Sequence, residues 1–272
     1  MSVGRFLKQA AAGNAGGETW YGDISTASYT RSFSVSAQDT SPRGLFFKPD
    51  GTKMYVLGGI GDDVNEYTLS TGFDISTASY TQNFSVASQE NNPTDVSFNP
   101  DGTKMYVLGD TGDDVNEYNL STAWDISTAS YLQNFSVASQ ETSPQGIVFN
   151  PDGTKMYITG TSGDDVNEYT LSTGFDISTS SYTQNFSVSA QDTSPQSTFF
   201  SPDGTQMYVL GFSGNDVNEY TLSTGFDVST ASYSQNFSVA AQTTTPKGLF
   251  FNTDGTEMYV LNSSTSVYQY SL

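Results

Sequence analysis

The segment GDDVNEY at residues 61–67 sets three carboxylates, Asp62, Asp63 and Glu66, beside the amide of Asn65. Clustered carboxylate and amide oxygens are the donors that a hard cation such as Ca2+ selects, so calcium binding is the first chemistry these residue types suggest. The segment recurs unchanged at 112–118 and 163–169 and as GNDVNEY at 214–220, which adds Asp113, Asp114, Asp164, Asp165 and Asp216. One further acid precedes each copy: Asp39, Glu90, Glu141 or Asp192. The spacing does not follow the EF-hand loop. A solvated or scaffolding role for the acids stands beside the cation reading.

Composition removes other chemistries. The 272 residues contain no Cys and no His, which excludes disulfides, thiolate nucleophiles, Ser-His-Asp triads and nearly every zinc or copper site. Lys and Arg number 9 against 29 Asp and Glu, a net charge of -20 that repels phosphate backbones and anionic headgroups. Nucleic-acid partners and membrane insertion are not expected, and no apolar run is long enough to span a bilayer. The start of the chain lacks the apolar core of a secretory signal. Hydrophobic residues make up only 35%, yet 17 Tyr and 18 Phe provide enough ring area for a sizeable core.

These residues are placed by a repeat. The Asp of PDGT falls at 50, 101, 152 and 203, and that of TDGT at 254, so successive differences are all 51. Within a unit, four short segments rich in Val, Ile, Phe, Tyr and Met are separated by Gly, Pro, Asn, Asp and Ser clusters, the pattern of four strands. In the third copy they are GIVFN, KMYITG, DVNEYTL and YTQNFSV, here A to D. PDG between A and B predicts a tight turn, and DIST before D predicts a local Asp-to-backbone turn. Four strands per unit at this period is the arrangement of a propeller blade.

NPDGTKMYV resembles the SPDG turn and following strand of WD-repeat and YVTN-type β-propeller families, and the whole unit is similar to tandem-repeat proteins of marine phages and bacteria. The resemblance implies a propeller fold over residues 20–272 and implies little about function. The frame also indicates closure. The chain opens with a lone D strand at 29–35, runs A-B-C-D four times and ends on A-B-C, so the first strand supplies what the last blade lacks. The expected fold is all-β: a five-bladed β-propeller with four antiparallel strands per blade, preceded by a flexible leader or anchor at 1–19.

In such a meander the D-to-A and B-to-C loops share one rim. The B-to-C loops read GGIG, GDTG, GTSG, GFSG and NSST, whereas the opposite rim scarcely varies. The varying rim therefore suggests recognition, relaxed constraint being the alternative. The acids fall on this rim, and Asp39, Asp62 and Asp63 with their repeat equivalents form the candidate calcium set. In the fifth copy the acidic positions become Thr243 and Ser266, with Tyr268 and Gln269 beyond; joint loss suits either a ligand set or an atypical end repeat. Arg43, Gln145, Gln196 and Lys247 share one loop position near the channel mouth. Phe73, Trp124, Phe175 and Phe226 on the other rim could stack on a sugar, packing being the plainer role.

The leading expectation is a non-enzymatic, multivalent module that binds glycan or surface protein, located on a virion or cell surface, with assembly through residues 1–19. A decoration protein without ligand is the alternative. An enzyme resembling propeller lactonases fits least, because no His is present and the acids follow the repeat instead of converging once.

Overall fold

The computed structural model describes residues 20–272. The leader at 1–19, and the anchoring role expected of it, lie outside the described residues. Blade 1 consists of β2 (Pro42–Phe47), β3 (Lys53–Gly58), β4 (Asp63–Leu69) and β5 (Ala78–Ser85), paired antiparallel in that order. Blade 2 follows with β6 (Pro93–Phe98), β7 (Lys104–Gly109), β8 (Asp114–Leu120) and β9 (Ala129–Ser136). Blade 3 contains β10 (Pro144–Phe149), β11 (Lys155–Gly160), β12 (Asp165–Leu171) and β13 (Ser180–Ser187). Blade 4 contains β14 (Pro195–Phe200), β15 (Gln206–Gly211), β16 (Asp216–Leu222) and β17 (Ala231–Ser238). Blade 5 is β18 (Pro246–Phe251), β19 (Glu257–Asn262) and β20 (Ser266–Ser271), completed by β1 (Ser28–Ser34) on its outside. The ring is a five-bladed β-propeller shut by its N-terminal strand, with Ser28 opposite Ser271 and Ser34 opposite Ser266.

The closing ribbon is longer than the lone strand that the sequence suggests. Trp20 and Gly22 supply the fifth C-to-D connection: Tyr208 Oη donates to Gly22 O at 2.7 Å and Trp20 Nε1 donates to Tyr208 Oη at 3.2 Å. In the other blades that connection carries Phe73, Trp124, Phe175 and Phe226, each with positive φ. These rings cover the glycine of the preceding PDG turn so closely that a Cβ at Gly51 would lie 2.4 Å from Phe73. Positive φ at Gly51 and contact with the ring both demand glycine there. The DIST segments form single 3-10 turns in which Asp74, Asp125, Asp176 and Asp227 cap the Ser two residues on.

The core lies between blades. Tyr55 packs with Phe98 of the next blade at 4.5 Å and donates its hydroxyl to Trp124 O at 2.8 Å. A polar clamp accompanies it. Lys53 Nζ meets Glu66 Oε1 at 2.6 Å and Trp124 O at 2.7 Å, while Gln82 Nε2 reaches both Glu66 Oε2 and Asp125 Oδ1 at 2.9 Å. Lys104–Glu117 and Lys155–Glu168 repeat the ion pair. The last two junctions differ: Gln206 meets Glu219, and Glu257 meets Gln269 with no cation between them.

Candidate active site

The periodic acids are scaffold. Asp39 Oδ1 accepts from Ser41 N at 2.6 Å and Oδ2 from Ile60 N at 3.1 Å and Gly61 N at 2.9 Å, which ties the D-to-A loop to the B-to-C loop. Glu90, Glu141 and Asp192 make the same ties, Asp192 to Ser194 N and Gly214 N at 2.6 Å each. Asp63 accepts from Asn65 Nδ2 at 2.7 Å and from Asn83 Nδ2 at 2.5 Å, and Asp114, Asp165 and Asp216 repeat this. Burial raises the pKa of those last three above the ordinary carboxylate value. Asp62, Asp113 and Asp164 take positive φ at the start of strand C.

The calcium reading of Asp39, Asp62, Asp63 and their equivalents does not fit this arrangement. The oxygens of Asp39, Asp63 and their equivalents already face N–H donors; Asp113 Oδ1 and Asp164 Oδ1 are buried without a partner, yet no group of three or more acids among the described residues could hold a metal. In blade 5, Thr243 Oγ1 still accepts from Thr245 N at 3.0 Å, so the lost acid is one cap exchanged for another. Phe73, Trp124, Phe175 and Phe226 are packing residues, as their contacts with the turn glycines require.

What departs from the repeat gathers at one mouth of the channel. The first residue inside each Pro of strand A is Arg43, Thr94, Gln145, Gln196 or Lys247, displaced from the ladder by a bulge. Arg43 Nη1 donates to Asn92 Oδ1 at 2.6 Å, and Asn92 Nδ2 donates to Asp110 Oδ2 at 2.7 Å. A Cβ at Gly59 would lie 2.4 Å from Arg43 Nε, so glycine in blade 1 leaves room for the guanidinium where blade 2 carries Asp110. Lys247 Nζ donates to Gln196 Oε1 at 2.5 Å and lies 5.7 Å from the centre of the exposed Phe212 ring. Desolvation first, and then the Arg43 charge, lower the Lys247 pKa, while the Asp110 charge opposes them.

Two cations and one carboxylate thus converge in an otherwise acidic molecule. Arg43 and Lys247 were visible in the sequence. Asn92 and Asp110 were not recognised, although Asn92 replaces the hydroxyl residue of Ser41, Ser143, Ser194 and Thr245, and Asp110 is the one acid at a position that holds Gly59, Thr161, Phe212 and Ser263 in the other copies. A convergent asymmetric constellation therefore exists, contrary to the expectation from sequence. Below it the channel narrows to a cavity of about 50 Å³ and is then closed by rings: Phe250 lies 5.4 Å from Phe46 and 5.5 Å from Phe199. The cavity itself is too small for a sugar ring.

Fold and mouth define a propeller with one polar, charge-bearing opening. The family profile described as lactonase, 7-bladed β-propeller matches residues 20–175, more than half of the chain, and the chain belongs to that family. It does so with five blades. No curated protein matches it. Among solved structures it is similar to a functionally unknown protein from Desulfotomaculum acetoxidans, at 14% identity and a TM-score of 0.50, covering 81% of this chain and 62% of that one. It is also similar to a candidate 6-phosphogluconolactonase from Bacteroides fragilis, at 16% identity and a TM-score of 0.50, over 73% of this chain and 55% of that one. A second such candidate, from Bacteroides uniformis, gives 16% identity and a TM-score of 0.51 over 84% of this chain and 66% of that one. The chain spans roughly three fifths of the length of these structures, and at such identities they show the fold alone.

Family membership overturns the expectation of a non-enzymatic binding module for glycan or surface protein. The exclusion of an enzyme rested on the missing His and on the periodicity of the acids. Ester hydrolysis requires neither a histidine nor a repeated acid.

Proposed function

We propose that this protein hydrolyses a lactone at the mouth formed by Arg43, Asn92, Asp110, Gln196 and Lys247. The observation that carries the reading is the convergence there of two cations and a carboxylate in a chain of the lactonase family. In such a reaction water attacks the ring carbonyl, charge develops on its oxygen, and the ring C–O bond then breaks. Asp110 accepts the proton of the attacking water and returns it to the ring oxygen as the C–O bond breaks, a role in which a placed carboxylate contributes about 10² to 10⁴ in rate. Arg43 and Lys247 stabilise the oxyanion or hold an anionic substituent, and guanidinium suits planar oxyanions. Asn92 bridges Arg43 to Asp110 and fixes both. A phosphorylated sugar lactone would use both cations, in keeping with the names of two similar structures.

The test is a pH-stat assay on γ- and δ-lactones with and without a phosphate group. Hydrolysis well above buffer, lost in Asp110→Asn and Arg43→Gln with melting unchanged, is expected. No turnover of any lactone, or full turnover by Asp110→Asn, overturns the proposal.

A further inference from the structure

A second feature of the channel lies beneath the mouth and plays no part in lactone hydrolysis. Lys48 N donates to Lys53 O, and the equivalent bonds occur at Asn99, Asn150, Ser201 and Asn252. Counting inward along the antiparallel ladder, Leu45, Val96, Ile147, Thr198 and Leu249 fall in pairs that exchange no hydrogen bonds. Their N–H groups therefore point away from the sheet, toward the axis. Such buried donors require partners.

Three have them. Asp95 Oδ1 accepts from Val96 N and Oδ2 from Ile147 N, both at 2.9 Å, and Ser197 Oγ accepts from Leu249 N at 3.3 Å. No side chain takes the N–H of Leu45 or Thr198. The other three blades carry Gly44, Gly146 and Gly248 where these carry Asp95 and Ser197. The cavity of about 50 Å³ is lined by Leu45, Asp95, Ser97, Ser197, Thr198 and Leu249 among others. Its space suits about three waters or one halide. The rim above it carries Arg43 and Lys247.

We infer that this narrow cavity is a site for one small monovalent anion of halide size, held by inward backbone N–H groups and in competition with the Asp95 carboxylate. Converging N–H groups in a low-dielectric space favour negative charge. Asp95 is itself an anion covering two of the donors. A second charge is admitted when Asp95 is protonated, and the acid then has a proton to offer it. Burial pushes the Asp95 carboxyl up to about 7, against the pull of its two backbone donors. No ionised side chain offsets this. On β2 the nearest is Arg43, turned to Asn92; on β7, Lys104 is paired with Glu117; on β10 and β14 there is none; on β18, Lys247 is turned to Gln196. Anion binding is therefore coupled to proton uptake near neutrality.

The experiment reads thermal unfolding of the whole protein in chloride against gluconate at equal ionic strength, at about pH 5.5 and 8.5. At the lower pH the melting temperature is expected to rise by about 3 °C for each tenfold in chloride above its Kd, with affinity at least about tenfold weaker at the higher pH. In Asp95→Asn the chloride gain should appear at both pH values. Asp95→Gly restores the residue of three other blades and serves if the Asn variant does not fold; its gain should likewise lose its pH dependence. Bromide in crystals grown at the lower pH should give an anomalous peak on the axis beside Leu45 N and Thr198 N. Identical melting in chloride and gluconate at both pH values, or bromide found only elsewhere, overturns the inference. None of these readings involves turnover, so they stand or fall apart from the lactonase assay.

Discussion

Two sets of acidic residues at one end of the ring have opposite characters. Asp39, Glu90, Glu141 and Asp192 recur at the repeat period, are buried, and have their oxygens taken up by loop N–H groups. Asp110 and Asp95 each occur once; Asp110 stands partly exposed beside Arg43 and Asn92, and Asp95 faces the axis. Repetition marks the parts that every blade needs in order to dock on the next. Departure from repetition marks the places where a five-fold ring becomes asymmetric.

The largest test of this contrast removes scaffold. Deleting residues 20–34 strips blade 5 of its outer strand and of the Trp20 cover, and calorimetry should show loss of the cooperative transition. Glu117→Ala leaves Lys104 facing a vacated, buried site, and urea titration should register a loss of about 3 kcal/mol with turnover unaffected. The mouth should behave in the converse manner. Asp110→Asn is expected to lower kcat about 10²-fold or more while the unfolding free energy from urea titration changes by less than about 0.5 kcal/mol. A mouth variant that unfolds, or a clamp variant that only slows turnover, would erase the distinction.

Titration sharpens it further. Asp125, Asp176 and Asp227 are held below the ordinary carboxylate range by the Ser hydroxyls they face, so their stabilisation is present above about pH 4 and lost as pH falls further. Asp95 runs the other way. Its folded value of about 7 lies above the ordinary 3.8 of an aspartate, so its contribution is complete below 3.8 and is lost as pH rises through 7. Melting of Asp95→Asn should therefore gain on the native chain between about pH 5 and 8. The smallest effect is expected at the fourth junction, where Gln206→Lys supplies the cation missing beside Glu219 and should add about 0.5 kcal/mol by urea titration.

The ring was legible in the sequence because its determinants are local and repeated: PDG turns, alternating strands, and a frame that begins on D and ends on C. The seam followed from the same frame, though Trp20 as its cover did not, since only packing on Gly255 reveals it. The acids misled because Asp39, Glu90, Glu141 and Asp192 are taken up by backbone N–H groups, which no residue letter records, and Asp63 and its equivalents by asparagine amides that include one on the neighbouring strand. The mouth was half legible. Arg43 and Lys247 stand out by charge, whereas Asn92 and Asp110 sit in loops whose variation read as drift, and only three-dimensional pairing joins them across a separation of 18 residues. The absence of His argued against an enzyme, and family membership outweighs it.

Closure by β1 has a consequence for how the protein is made. Ser28 and its partner Ser271 are 243 residues apart, so the first strand leaves the ribosome long before the blade it completes. At usual synthesis rates it waits about 10 to 50 s with its hydrogen bonds unmet, a sticky ribbon among four half-built neighbours of nearly identical sequence. Capture by the wrong blade, or by another nascent chain on the same message, is the hazard that this architecture must outrun.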